Sequence, residues 1–109
     1  MTPVTFEDFE VRYKKIREKY PTIKDCTVEG CTNPRDITEG LGVDTTCSYH
    51  RLLFDFWIYE VLDVDETKKF ITDRSARRKA FSSWMLAMGK DHCDEIVLKM
   101  AQDKINWVT

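Results

Sequence analysis

CTVEGCTNPRDITEGLGVDTTCSYH, residues 26–50, sets three cysteines and a histidine at the spacing C-x4-C-x15-C-x2-H. Two short pairs of thiolate and imidazole donors, joined by a longer interval, are how a chain delivers four tetrahedral ligands to one Zn²⁺ ion. Each short pair grips the ion from a single turn, and the interval between them lets the chain loop back. Cys26, Cys31, Cys47 and His50 are therefore the predicted zinc ligands. Gly30 stands next to the second thiolate, where a knuckle needs a residue that tolerates positive φ. Cys47 and His50 open an evidently helical stretch, and thiolates at a helix N-terminus are favoured by its dipole.

The competing reading of these cysteines is a disulfide in a secreted domain. The chain starts without a basic, then apolar, then small-residue leader pattern, and three cysteines would leave an odd thiol. Cys93 follows His92 and has too few partners nearby for a second metal site; it reads as a small buried apolar residue.

Outward from this centre the periodicity is helical. Thr5 with Asp8 forms a capping-box signature, and Val4 with Phe9 occupies the positions of a hydrophobic staple. Phe6, Phe9, Tyr13, Ile16 and Tyr20 then repeat at helical spacing, with acids early and bases late as the macrodipole prefers, until Pro21 stops the helix. From Cys26 to Thr46 the composition predicts a knuckle, a turn at Asn33-Pro34 and at most a short β-hairpin. A second helix is expected from about Ser48 to Leu62. It is apolar nearly all round apart from Arg51, Asp55 and Glu60, so it is central to the fold or covered by a partner.

Asp63 with Glu66 caps a further helical region, whose pattern lapses at Thr72 to Lys79 before Phe81, Trp84, Met85 and Met88 resume an apolar stripe ended by Gly89. Two helices capped at Asp73 or Ser75, or one continuous helix, both fit. Asp91 is the expected cap of a last helix bearing Ile96, Val97, Met100, Ala101, Lys104 and Ile105, with Trp107 near its end. The fold class is thus mainly α: four to five helices around a treble-clef-like zinc knuckle. The chain is read as a single zinc-stabilised domain over residues 1–109, its zinc module about 26–62.

The 109 residues are 42% hydrophobic, enough for one modest core. With 17 Lys+Arg against 19 Asp+Glu the formal charge is −2. That balance argues against coating nucleic acid or membrane by bulk charge, and no apolar run is long enough to span a bilayer. A cytoplasmic protein is expected.

The stretch CTVEGC followed by EGLGVDTTCSYHR resembles the treble-clef zinc modules of small phage HNH-type homing endonucleases and related phage proteins. In those, C-x4-C is followed by Gly-Leu and then C-x2-H. The resemblance covers about residues 26–51 and implies a knuckle supplying the first two ligands and a helix start supplying the last two. This chain departs from the pattern in the longer segment 42–46 and in lacking the nuclease motif, since only His92 is left for catalysis once His50 binds zinc.

Other enzyme signatures are absent too. Four protein ligands leave no open position for a catalytic zinc. There is no deaminase H-x-E with P-C-x-x-C, no P-loop and no G-x-S-x-G elbow. Acid pairs such as Asp63 and Asp65, or Asp94 and Glu95, sit where caps and first turns want them. The expectation is a non-enzymatic module acting by macromolecular binding. Its partner is most readily a protein, as for a small phage-type regulator or inhibitor, because 3 Trp, 4 Tyr and 6 Phe exceed what a small core hides. Trp57 and Tyr59 are the candidate interface residues. The alternative is nucleic acid held by Arg74, Arg77, Arg78 and Lys79 on adjacent turns.

Overall fold

The computed structural model describes residues 3–36 and 46–103. Gly40, Gly42, Lys104, Ile105 and Trp107, on which part of the sequence reading fell, lie outside the described residues. Within them the chain forms five α-helices: α1 (Phe6–Lys19), α2 (Ser48–Phe56), α3 (Val64–Thr72), α4 (Arg74–Met88) and α5 (Lys90–Asp103). A π-turn, Trp57–Val61, continues α2. The sheet content of the described residues is one isolated antiparallel bridge, Asp25 to Pro34. No described helix is long and apolar enough to cross a membrane.

Local signals place most helix ends. The Thr5 N–H donates to the Asp8 carboxylate at 2.9 Å, closing the start of α1. At its far end the Tyr20 N–H returns to the Ile16 carbonyl, one residue before Pro21. Asp63 and Glu66 exchange the two bonds of a capping box, the Glu66 N–H to Asp63 Oδ1 at 2.8 Å and the Asp63 N–H to Glu66 Oε1 at 3.3 Å. Asp73 has extended backbone and accepts from the Ala76 N–H at 3.0 Å, so α3 and α4 are two helices. Gly89, at φ +84°, ends α4 in a conformation that L side chains rarely adopt. Asp91 is a correction: α5 already begins at Lys90, which puts this carboxylate inside the first turn, where it still favours the dipole but is no cap.

The core takes a narrow stripe from four of the five helices. Phe9, Tyr13 and Ile16 come from α1, Leu52 and Leu53 from α2, Phe81 from α4, and Cys93, Val97 and Ala101 from α5. Helix α5 packs on α2 and α4, and α3 on α4. The expectation that the second helix is central holds, with a modification in its last turn. There the Leu62 N–H reaches back five residues to the Trp57 carbonyl at 3.0 Å. The wider turn keeps Trp57 in the core, 2% exposed, while Tyr59 projects outward at 78%. Trp57 packs against Phe81 and Phe70, with ring centroids 5.5 and 5.7 Å away. This corrects the reading of Trp57 as an exposed aromatic: its ring is already covered by the protein's own helices.

Candidate metal centre

Four donors meet where a loop and a helix start face each other. The loop is pinned by two backbone bonds, Cys26 N–H to the Asn33 carbonyl at 2.8 Å and Arg35 N–H to the Lys24 carbonyl at 3.1 Å. Between them the chain turns through Gly30 at φ +82°, as the knuckle requires. The Cys31 N–H bonds the Val28 carbonyl, which fixes the second thiol on the same side as the first. Arg17 of α1 fastens the loop from outside, donating to the Thr32 carbonyl at 2.5 Å and the Asp25 carboxylate at 3.1 Å. Opposite, Cys47 is the N-cap of α2 and accepts the His50 N–H at 3.5 Å.

The donor atoms of Cys26, Cys31, Cys47 and His50 all lie within 4.8 Å of one another. His50 presents Nδ1, at 3.3 Å from Cys47 Sγ and 3.6 Å from Cys26 Sγ, and the sulfurs of Cys31 and Cys47 are 3.9 Å apart. Cys26 and Cys47 are buried, whereas Cys31 and His50 are half-buried. All four cysteines of the chain are free thiols. This is a possible metal site, and it unites the four residues that the spacing singled out.

Their electrostatics fit a cation. A hydrogen bond from Cys47 lowers the Cys26 thiol to about 4 against the effect of burial. Cys47 is pushed up by the same bond and by burial, and burial raises Cys31. Without a counter-charge the cluster thus holds its protons unevenly, and a dication among the sulfurs favours the thiolate form of all three.

Side chains around the donors hold them in place. The Tyr49 ring meets the His50 ring edge-on at 5.1 Å, and its hydroxyl donates to Asp94 Oδ1 of α5 at 2.6 Å. Lys90 donates to the other oxygen of that carboxylate at 3.0 Å. Asp94 therefore ties α5 to the helix that carries His50 and is capped by Cys47, a role the sequence reading missed because its partner lies 45 residues away. Burial and the nearby Cys47 push the Tyr13 phenol up, keeping it protonated beside the sulfurs. Arg12 Nε donates to Asp36 Oδ2 at 2.7 Å, with Asp36 only 1% exposed, and the Asp36 N–H bonds the Thr46 carbonyl just before Cys47. A buried ion pair of this kind joins α1 to both sides of the loop.

His92 and Cys93 belong to no metal-capable group among the described residues. Cys93 is 4% exposed in the core, and the His92 ring stands against the Met88 carbonyl at 3.1 Å. Arg74, Arg77, Arg78 and Lys79 fall in the first turns of α4, along a groove of about 820 Å³ between that helix, α2 and the loop. The Arg77 guanidinium lies 5.7 Å from the centre of the Phe54 ring. Compared with protein-family models, curated proteins and solved structures, the chain matches none.

Proposed function

We propose that this chain is a non-enzymatic module stapled by one structural zinc ion and working by macromolecular binding. The observation that carries it is the convergence of Cys26, Cys31, Cys47 and His50. Zn–S and Zn–N bonds of about 2.3 and 2.0–2.1 Å in a tetrahedron imply donor separations of about 3.8 Å between sulfurs and about 3.6 Å between sulfur and nitrogen. Three of the six separations, at 3.9, 3.6 and 3.3 Å, lie close to those edges, and all six are within 4.8 Å. Three soft thiolates and an imidazole suit zinc among the common metals. A full set of four protein ligands supports a structural rather than a catalytic ion. The knuckle-plus-helix delivery of the ligands supports the treble-clef reading.

Two partner classes draw on different surfaces. Protein binding by a regulator retains Tyr59, with Val61 and Val64 also exposed nearby in sequence, and loses Trp57 to the core. Nucleic-acid binding draws on the basic groove, which favours it.

Elemental analysis tests the metal. One zinc per chain is expected in the purified protein, falling below one half in Cys47→Ser and unchanged in Cys93→Ser. A cobalt-substituted form should show thiolate charge-transfer bands. A metal-free native protein whose melting temperature ignores added zinc and chelator overturns the proposal.

A further inference from the structure

The groove between α4, α2 and the knuckle has a charge opposite to that of the chain. Five basic side chains line it, Arg51, Arg74, Arg77, Arg78 and Lys79, against two acidic ones, Glu29 and Asp55, in a protein of net charge −2. Arg74, Arg78 and Lys79 are exposed, and among the described residues none of the three is engaged in an ion pair. Arg77 differs from them. Half-buried, it lies over the Phe54 ring, which itself meets Phe81 edge-on at 5.3 Å. A guanidinium placed over an aromatic face is pre-organised by the cation–π contact, and it is a flat cation on which another ring can stack.

We infer that this groove binds single-stranded nucleic acid, its phosphates along the exposed cations of α4 and a base on the Arg77 guanidinium that lies over Phe54. The inference rests on the reading of the chain as a zinc-stapled binding module. Three features select this occupant. The cations line a concavity of about 820 Å³, which admits a few nucleotides of a flexible strand; duplex readers instead insert a convex helix or ribbon into a groove of the DNA. Basic side chains beside a stacking surface are the pairing that single-strand binding uses. The two carboxylates stand with the knuckle and α2, not on α4. The α4 side of the groove thus offers phosphates cations and hydroxyls with no carboxylate among them, and Glu29 opposite can accept from the amino group of a base.

The experiment is fluorescence anisotropy on the zinc-loaded full chain, with a labelled 20-residue oligothymidine, a duplex of the same length and a 20-residue polyglutamate as separate probes. Binding of the single strand is expected at low salt, tighter than that of the other two. Arg74→Ala/Arg78→Ala should weaken it and reduce the slope of log K against log salt by about 1.4, at about 0.7 per lost phosphate contact. Arg77→Lys keeps the charge and removes the plane. It should keep the salt slope yet lose about fivefold or more in affinity, the equivalent of about 1 kcal/mol of stacking. Both variants should retain one zinc and the parental melting temperature. Duplex preferred over single strand, polyglutamate bound as tightly as the oligonucleotide, or a double variant that binds like the parent each overturns the inference. A zinc-loaded protein that leaves the oligonucleotide free at low salt overturns it while leaving the metal-stapled fold standing, whereas a zinc-free preparation overturns both.

Discussion

The knuckle and the helical half are ordered by different forces. Between Tyr20 and Asp36 only Cys26, Pro34 and Asp36 are buried, and the segment is held by discrete bonds: Arg17 from outside, the Arg12–Asp36 pair from within, and the proposed metal. Helices α3 to α5 owe their arrangement to area, with Phe81 packed among Phe54, Trp57 and Trp84 at centroid distances of 5.3 to 6.2 Å. Point contacts fail singly and completely, whereas an apolar core weakens in proportion to what is removed. The two halves should therefore respond differently to the same kind of insult.

Removing the metal separates them most widely. Cys47→Ser, or a strong chelator, should abolish hydrogen-exchange protection across the knuckle and the start of α2, a loss of several kcal/mol given the roughly 10–16 kcal/mol apparent affinity of structural zinc sites. Protection in α4 and α5 should outlast it. Uniform loss across the chain would break the comparison. Acidification should act like chelation, because protons compete with the metal for thiolates, so metal release should increase as pH falls.

Next in size is Phe81→Ala, which should cost about 3–5 kcal/mol in denaturant unfolding while the purified protein keeps one metal per chain. Arg12→Met tests the joint between the halves. It leaves the Asp36 carboxylate buried without its guanidinium, at about 3 kcal/mol, and should also weaken metal retention, since Asp36 bonds the residue preceding Cys47. An unchanged metal affinity there would show that the joint does not reach the ligands. Asp63→Ala, which removes a cap in the helical half, should cost about 1 kcal/mol and leave the knuckle's exchange rates untouched.

What the sequence made legible obeys the same division. Ligand spacing and caps are local, so Cys26, Cys31, Cys47 and His50, the boxes at Thr5 and Asp63, and the stop at Gly89 could all be read along the chain. Asp36 could not. It is an acid in a polar stretch, and its burial depends on Arg12, 24 residues earlier. Trp57 went astray for a related reason: in a helix apolar on nearly every side, periodicity cannot say which aromatic faces inward. Asp94 read as a helix-start carboxylate because Tyr49, its partner, comes from another helix. The groove was half visible, with Arg74, Arg77, Arg78 and Lys79 evident as a basic run but Phe54 and Glu29 joining them only through tertiary packing.

The turn from Trp57 to Val61 spends five residues where an α-helix would close its bond in four. The chain there has one residue of slack, taken up as a bulge and not passed on to α3. Elsewhere in a helix of this protein, a single-residue deletion would rotate every later side chain by about 100° and turn core positions to water. Here, dropping Glu60, which is exposed, would let the turn relax to α geometry with Trp57 still in place and α3 still starting from Asp63. The second helix thus contains its own site of tolerated length variation, one turn beyond the residues that hold the core.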